Sequence, residues 1–105
     1  MDWVVFSASL PSKASSSPRV TLWRRLRRLG AISPIGGLQI LPAQGENIEA
    51  FQWLAQEIRQ EQGDAVVMRV AAFEGLSDQR LIALFQAERK AEYDALEAQA
   101  AALEQ

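Results

Sequence analysis

The fold is decided by residues 2–10, DWVVFSASL, a stretch that predicts a β-strand with apolar side chains on both faces. Trp, Val and Phe are frequent in strands, and no helical periodicity fits this stretch. Because side chains alternate along a strand, Trp3 and Val5 are expected to face one side of a sheet, and Val4 and Phe6 the other. A strand that is apolar on both sides is typical of the centre of a sheet, so we predict a central strand here.

The stretch that follows, SPRVTLWRRLRRLG at residues 17–30, predicts a helix. Ser17 is suited to the N-cap and Pro18 to the first helical position, so the helix is expected to run from about Pro18 to Leu29. Gly30 fits the position just after the last helical residue, where a left-handed backbone is common.

This helix is predicted to have an apolar face and a strongly basic face. The apolar stripe, with Trp23 beside it, consists of leucines at helical spacing: Leu22, Leu26 and Leu29. Three arginines are expected to point away from the core, and they are Arg24, Arg27 and Arg28. Arg25 is expected at the edge between the two faces.

The rest of the chain continues the alternation of strands and helices. In order, the sequence predicts a short strand at 31–33, a turn at Gly36-Gly37, a strand at 38–42, a helix at 45–63, a strand at 64–73 and, after a Ser77 cap, a helix of nearly thirty residues.

The order βαββαβ with a long C-terminal helix predicts an α+β fold of the ferredoxin-like, split βαβ kind. Two helices are expected to cover one face of the sheet and to leave the other for a partner, a ligand or a second copy. We predict a ferredoxin-like domain at residues 1–76. Residues 77–105 are predicted to form a helix that connects to a further C-terminal domain of the same protein, because their Ala/Glu-rich end has no stop signal.

Composition excludes several classes of protein. The chain of 105 residues has no cysteine and no histidine, which excludes disulfide frameworks, zinc ribbons and a Ser–His–Asp triad. No stretch approaches the roughly 20 apolar residues of a membrane-spanning helix, and Asp2 stands where a signal peptide has basic residues. We therefore expect a non-enzymatic cytoplasmic domain with no catalytic residues, no bound metal or cofactor and no contact with a membrane.

Charge is distributed unevenly along the chain. Residues 1–42 carry a net charge of +5 and residues 43–105 carry −7, although the chain as a whole has a net charge of −2. Clustered arginines bind phosphate oxygens with two-pronged geometry, which favours nucleic acid as the partner. Because the cluster lacks the interleaved aromatic residues of single-strand binders, a duplex DNA backbone is favoured. The residues predicted to contact DNA are Arg19, Arg24, Arg25, Arg27 and Arg28. A solvated helix surface explains the same residues equally well, and so does docking against an acidic protein surface.

A second candidate site lies in the loop PSKASSSPR at residues 11–19. Hydroxyl groups and basic side chains near a helix N-terminus are suited to a tetrahedral oxyanion. The residues predicted for anion binding are Ser12, Lys13 and Ser17. The alternative interpretation of the loop is an ordinary helix cap.

Three long segments carry a resemblance to a known family: residues 3–43, EAFQWLAQEI at 49–58 and FEGLSD at 73–78. The chain closely resembles the N-terminal domain of the ChrB family of chromate-resistance regulators. The resemblance implies DNA binding in a chromate-responsive transcriptional regulator, with a C-terminal domain after this one. We further expect a homodimer formed through the open sheet face or the long helix, because a two-fold dimer would place two basic helices on one surface, as palindromic operators require.

The same layout is similar to two more distant groups, the C-terminal part of phenylacetate-type repressors and the small CRISPR-associated endonucleases. The endonucleases carry a metal-binding Asp at the end of the first strand, where this chain has Ser7. Because Mg²⁺ needs carboxylate oxygens, a nuclease stays only a remote alternative.

Overall fold

The structure, a computed structural model, describes residues 1–11 and 16–103, with side chains described through residue 100 except at Ser16 and Ser17. Within these residues the chain forms a mixed α+β fold with a three-stranded antiparallel sheet and three helices. The elements are β1 (Trp3–Ser9), α1 (Ser16–Leu29), β2 (Gln39–Pro42), α2 (Gly45–Gln60), β3 (Asp64–Val70) and α3 (Asp78–Leu103). None of these helices combines the length and the apolar character that a membrane-spanning segment requires.

The predicted position of β1 is confirmed, because the strand order is β2-β1-β3. Val5 lies opposite Ile40 of β2 and opposite Met68 of β3, both in antiparallel register. The side chains of β1 from Trp3 to Phe6 are buried on both faces of the sheet. The double-sided apolar pattern of the strand therefore matches its central place.

One face of the sheet is covered by α1 and α2. Phe6 of β1 packs against Phe51 of α2, with ring centroids 5.4 Å apart. Leu26 of α1 and Leu54 of α2 belong to the same buried cluster. The apolar stripe predicted for α1 is confirmed, because Leu26 is buried and Leu22 and Leu29 are partly buried against the same cluster.

The opposite face is not open, and the prediction that it is left free is wrong over much of its area. The first turns of α3 fold back over it: Leu81 is fully buried, and the Phe85 ring stacks on Trp3 at 5.9 Å with an interplanar angle of 6°. Burial of Trp3 and Val5 supplies the reason, since both would otherwise be exposed to water. The part of this face along Val66 and Met68 of β3 stays exposed.

The predicted strand at 31–33 is also wrong as an extended element. Ile32 makes an isolated bridge to Ile40, with both N–H groups donating to the opposite carbonyl at 3.1 and 2.8 Å. Pro34 has no N–H to continue the ladder, so the pairing stops after one residue. The chain then turns back at Gly37, whose φ of +89° is readily adopted only by glycine.

The C-terminus of α1 and the N-terminus of α3 follow their predicted caps, whereas α2 ends at Gln60, three residues before the predicted end at residue 63. At the C-terminus of α1, the N–H of Ala31 donates to Leu26 and that of Gly30 to Arg27, the pattern of a Schellman motif. Ser77 caps α3 by accepting a hydrogen bond from the N–H of Arg80 at 3.1 Å. The prediction that Ser17 is the N-cap of α1 is wrong, because the helix begins at Ser16 and Ser17 lies inside its first turn. Pro18 is tolerated in this turn because the N–H groups of a first turn have no helical partner.

Asp78 fastens the start of α3 to the start of β1. Its carboxylate accepts hydrogen bonds from the indole N–H of Trp3 at 2.8 Å and from the amino group of Met1 at 3.1 Å. These bonds, above all the one from Trp3, lower the pKa of Asp78 below its ordinary value. Because a lowered carboxyl pKa favours the folded state only while the group is ionised, the contact depends on pH.

We expect the stabilising effect of Asp78 over Asn to be greatest at neutral pH and to disappear in acid. An unfolded Asp has a pKa of about 3.9, so the contribution is complete well above that pH and is lost as the pH falls through the lower folded pKa. Urea unfolding of wild type and Asp78→Asn at pH 7 and at about pH 3 measures this difference. A difference in stability that is the same at both pH values would contradict the ionic role of Asp78.

Candidate polyanion-binding helix

The basic face of α1 is organised by the same helical period that buries its leucines. With Leu26 in the core and Leu22 half-buried, Arg24 and Arg28 lie on the opposite side of the helix, one turn apart. Both side chains are exposed, and neither forms an ion pair with the residues that the structure describes. The predicted outward direction of these two arginines is confirmed.

Arg25 is directed toward the neighbouring helix. Its guanidinium donates to the carboxylate of Glu57 on α2, and both side chains are about half exposed. The hydrogen bond and the negative charge of Glu57 raise the pKa of Arg25 above its ordinary value. Arg25 therefore lies at the edge of the helix as predicted, but it is occupied by a partner within the chain.

Arg27 bridges α1 and α3. Its guanidinium lies 3.8 Å from the carboxylate of Glu88 and 5.5 Å from the centre of the Trp23 ring, a distance suited to a cation–π contact. Below it, a groove of about 440 Å³ runs between the two helices and is lined in part by Leu26 and Ile32. Arg27 is still largely exposed, so its charge contributes to the basic surface while its direction is set by Glu88.

Arg19 lies near the start of α1, one turn before Trp23 and away from the pair formed by Arg24 and Arg28. Its guanidinium donates to the carbonyl oxygen of Pro11 at 3.1 Å, a bond that leaves its positive charge unneutralised. The structure therefore places Arg19 beside the predicted anion-binding loop. In that loop Ser12 and Lys13 lie outside the described residues, and the side chain of Ser17 does too.

Sequence reasoning missed the two acidic partners, Glu57 and Glu88. They come from different helices and approach the basic helix from its two sides. The only signal in the sequence was the excess of acid in the second half of the chain. What remains available for an external anion is a surface centred on Arg24 and Arg28, with Arg27 beside it; we call these three residues the basic face.

The fold and this face together define a small α+β domain that displays an arginine-rich helix. The family described as "Protein ChrB, N-terminal" matches residues 19–105, and the chain belongs to that family. Membership associates the domain with chromate resistance. No curated protein and no solved structure matches the chain.

Proposed function

We propose that this chain is a non-enzymatic DNA-binding domain of a chromate-responsive transcriptional regulator. The basic face contacts the phosphate backbone of duplex DNA, and a dimer of the domain brings two such faces to one operator. Contacts of this kind position a protein on DNA without reading its sequence. The proposal includes a cytoplasmic location and a C-terminal domain of the same protein that takes part in the response to chromate.

The observation that carries this proposal is the position of Arg24 and Arg28. Two guanidinium groups lie one helical turn apart on the side of α1 that faces away from the core, and no carboxylate of the described residues is within ion-pair distance of either. An arginine that only covered a helix flank would be expected to lie along the apolar surface, as Arg27 does over Trp23. The guanidinium groups of exposed, unpaired arginines can donate hydrogen bonds to phosphate oxygens.

The strand arrangement supports a ferredoxin-like fold as the scaffold of this face. In a split βαβ unit, two strands joined by a helix are separated by a third strand. Here β2 and β3 are joined by α2 and separated by β1. The segment at Ile32, which α1 joins to β1, lies on the far side of β2. The second unit of the proposed fold therefore has its outer strand reduced to one bridge.

A second candidate function is docking to an acidic protein surface. It is favoured by the pairs Arg25–Glu57 and Arg27–Glu88, which show that arginines of this helix already meet carboxylates at its two sides. A partner that presents further carboxylates to Arg24 and Arg28 would extend the same pattern. The two functions differ in the anion that they need, so a nucleic-acid binding assay separates them.

Replacing both Arg24 and Arg28 by Gln is expected to weaken duplex DNA binding at low salt. Each phosphate contact contributes about −0.9 to the slope of log K against log salt, so the slope should become shallower by about 1.8. Fluorescence anisotropy with a labelled duplex, measured over a series of salt concentrations, gives this slope. The fold should be unaffected, because both side chains are exposed.

The matched control changes the same charge elsewhere: Arg80→Gln with Lys90→Gln, two exposed basic residues on α3. This control is expected to leave the slope nearly unchanged. Equal slopes for the wild type and the Arg24/Arg28 variant would reject DNA contact by the basic face. If no DNA binding is seen at any salt while an acidic protein surface is bound in an Arg24-dependent way, the second candidate replaces the first.

A further inference from the structure

One edge of the sheet has no neighbouring strand among the described residues. All seven residues of β3, from Asp64 to Val70, pair with β1 on one side, and β3 is the last strand in the order β2-β1-β3. An unpaired edge presents a row of backbone N–H and C=O groups that another strand can bind. The strand contains no proline that would block such pairing.

The hydrogen bonds around β1 determine which groups of β3 point outward. The Ala43 N–H donates to the carbonyl of Asp2 at 3.0 Å, so even-numbered residues of β1 bond toward β2. The N–H and C=O of one residue in an antiparallel strand point the same way and alternate along the chain. Odd-numbered residues of β1 therefore bond to β3, where their register partners are the even-numbered residues 64–70.

The backbone N–H and C=O groups that point to the outer edge therefore belong to Ala65, Val67 and Arg69. The guanidinium of Arg59 supports this assignment independently, because it donates to the carbonyl of Ala65 at 3.0 Å. A carbonyl oxygen has two lone pairs, so this contact leaves one acceptor site at Ala65.

The face of β3 that α1 and α2 do not cover is apolar and exposed. Val66 retains 52% and Met68 38% of their accessible surface, although both are strand residues of a three-stranded sheet. They alternate with the three edge-bonding residues and lie on the side that α3 covers only near Trp3. The edge therefore combines free backbone groups with an adjacent apolar strip.

We propose that the β3 edge pairs antiparallel with the β3 edge of a second copy of this chain. A register that keeps like faces together must place even-numbered residues opposite even-numbered ones. Among such registers, Asp64 opposite Val70 of the other copy overlaps the whole strand. Val67 then lies on the two-fold axis, and Val66 lies opposite Met68 of the other copy.

This register joins the available groups efficiently. Val67 pairs with its own copy and Ala65 pairs with Arg69, which allows about six backbone hydrogen bonds across the edge. Val66 and Met68 fall at positions that do not exchange hydrogen bonds, where opposite side chains are closest. The two apolar strips become one, so each copy covers surface that is exposed in the other.

The partner named here rests on the proposed function, which requires a dimer. Pairing of like faces places the two-fold axis perpendicular to the sheet, so both copies of α1 lie on the same side. α2 packs on β3 and β1, while α1 borders Gln39 of β2. The order of helices across the dimer is α1, α2, α2, α1, and three packing distances of about 8–10 Å separate the basic faces by about 24–30 Å.

That separation is about 4–12 Å shorter than the roughly 34–36 Å between half-sites one turn of DNA apart. Outward carboxylates of α2, such as Glu49, lie between the two basic faces. The positive charge of the dimer is therefore concentrated at its two ends, as contact with two separate half-sites requires.

Val66→Lys tests the interface in the 105-residue chain. A lysine at position 66 would be buried opposite Met68 twice in each dimer, and we expect the dimer dissociation constant from sedimentation equilibrium to rise by about 100-fold. The matched control is Ile35→Lys, at a side chain that is 55% exposed in the turn before β2, and it should leave the constant unchanged. A monomeric wild type, or equal constants for the two variants, would overturn the proposal.

The register is tested by adding Met68→Glu to Val66→Lys. In the proposed pairing each lysine lies opposite a glutamate of the other copy, so the double variant should recover at least about tenfold of the lost affinity. Failure to recover, in a double variant that circular dichroism shows to be folded, would overturn this register.

The two proposals fail in different ways. Arg24→Gln with Arg28→Gln should leave the dimer intact and weaken DNA binding, whereas Val66→Lys should give a folded monomer with a shallower salt dependence. A dimer that does not bind DNA would reject the proposed function and keep the interface. A DNA-binding monomer in the wild type would reject the interface and the dimer of the proposed function, and would keep DNA contact by the basic face.

Discussion

Replacing Trp3 by alanine is expected to lower the free energy of unfolding by about 3–5 kcal/mol, the usual cost of truncating a buried Trp or Phe. The side chain is fully buried, its ring stacks on Phe85, and its indole N–H donates to Asp78 at 2.8 Å. The change removes the ring against which Phe85 of α3 packs, and it removes one of the two hydrogen-bond donors to the Asp78 carboxylate. Because small domains have only about 5–15 kcal/mol of stability in total, α3 should become susceptible to proteolysis.

The chain offers a control with the same substitution. Trp53 lies on the outer side of α2 and is 58% exposed, so Trp53→Ala should change the stability by no more than about 0.5 kcal/mol. Urea unfolding followed by circular dichroism compares the two variants directly. Similar midpoints would show that α3 does not cover Trp3 in solution.

The central strand could be predicted because its signal is local. Each side chain of β1 from Trp3 to Phe6 is apolar, and a strand with two apolar faces has few places in a sheet other than the centre. The position of α3 could not be predicted in the same way. Its first turns cover Trp3 through contacts about 80 residues apart in sequence, and the pattern of α3 alone only shows that its start is apolar.

The short strand at 31–33 shows a different limit. Ile32 has the composition of a strand residue and does pair with Ile40. Whether one pair becomes a ladder depends on the next backbone donor, which Pro34 lacks. Ile32 therefore pairs as its residue type predicts, but Pro34 limits the pairing to one residue.

For the candidate site, directions were predictable and partners were not. The period of the leucines fixes Arg24 and Arg28 on the outer side of α1, since positions two residues either side of Leu26 lie opposite the core. The pairs of Arg25 with Glu57 and Arg27 with Glu88 depend on how three helices pack together. No spacing within α1 carries that information.

Leu26→Ala is expected to cost about 2–5 kcal/mol, because it opens a cavity between α1 and the sheet. Leu26 is the one leucine of the stripe that is buried, and it shares a cluster with Val4, Phe6 and Phe51. The backbone carbonyl of Leu26 also accepts the hydrogen bond from the N–H of Ala31 at the end of the helix. This bond does not involve the side chain, so it survives the substitution. The loss of stability therefore reports side-chain packing alone.

Two controls assign the effect to the phase of the helix. Arg28→Ala changes an exposed residue of the same helix, and Leu96→Ala makes the same truncation at an exposed position of α3; each should cost no more than about 0.5 kcal/mol. Thermal unfolding of the three variants gives the comparison. One helical period places Leu26 inward and Arg28 outward. If Arg28→Ala costs as much as Leu26→Ala, the orientation of α1 is wrong, and Arg24 and Arg28 do not form an outward basic face. A large difference between them supports the geometry on which DNA contact by Arg24 and Arg28 depends.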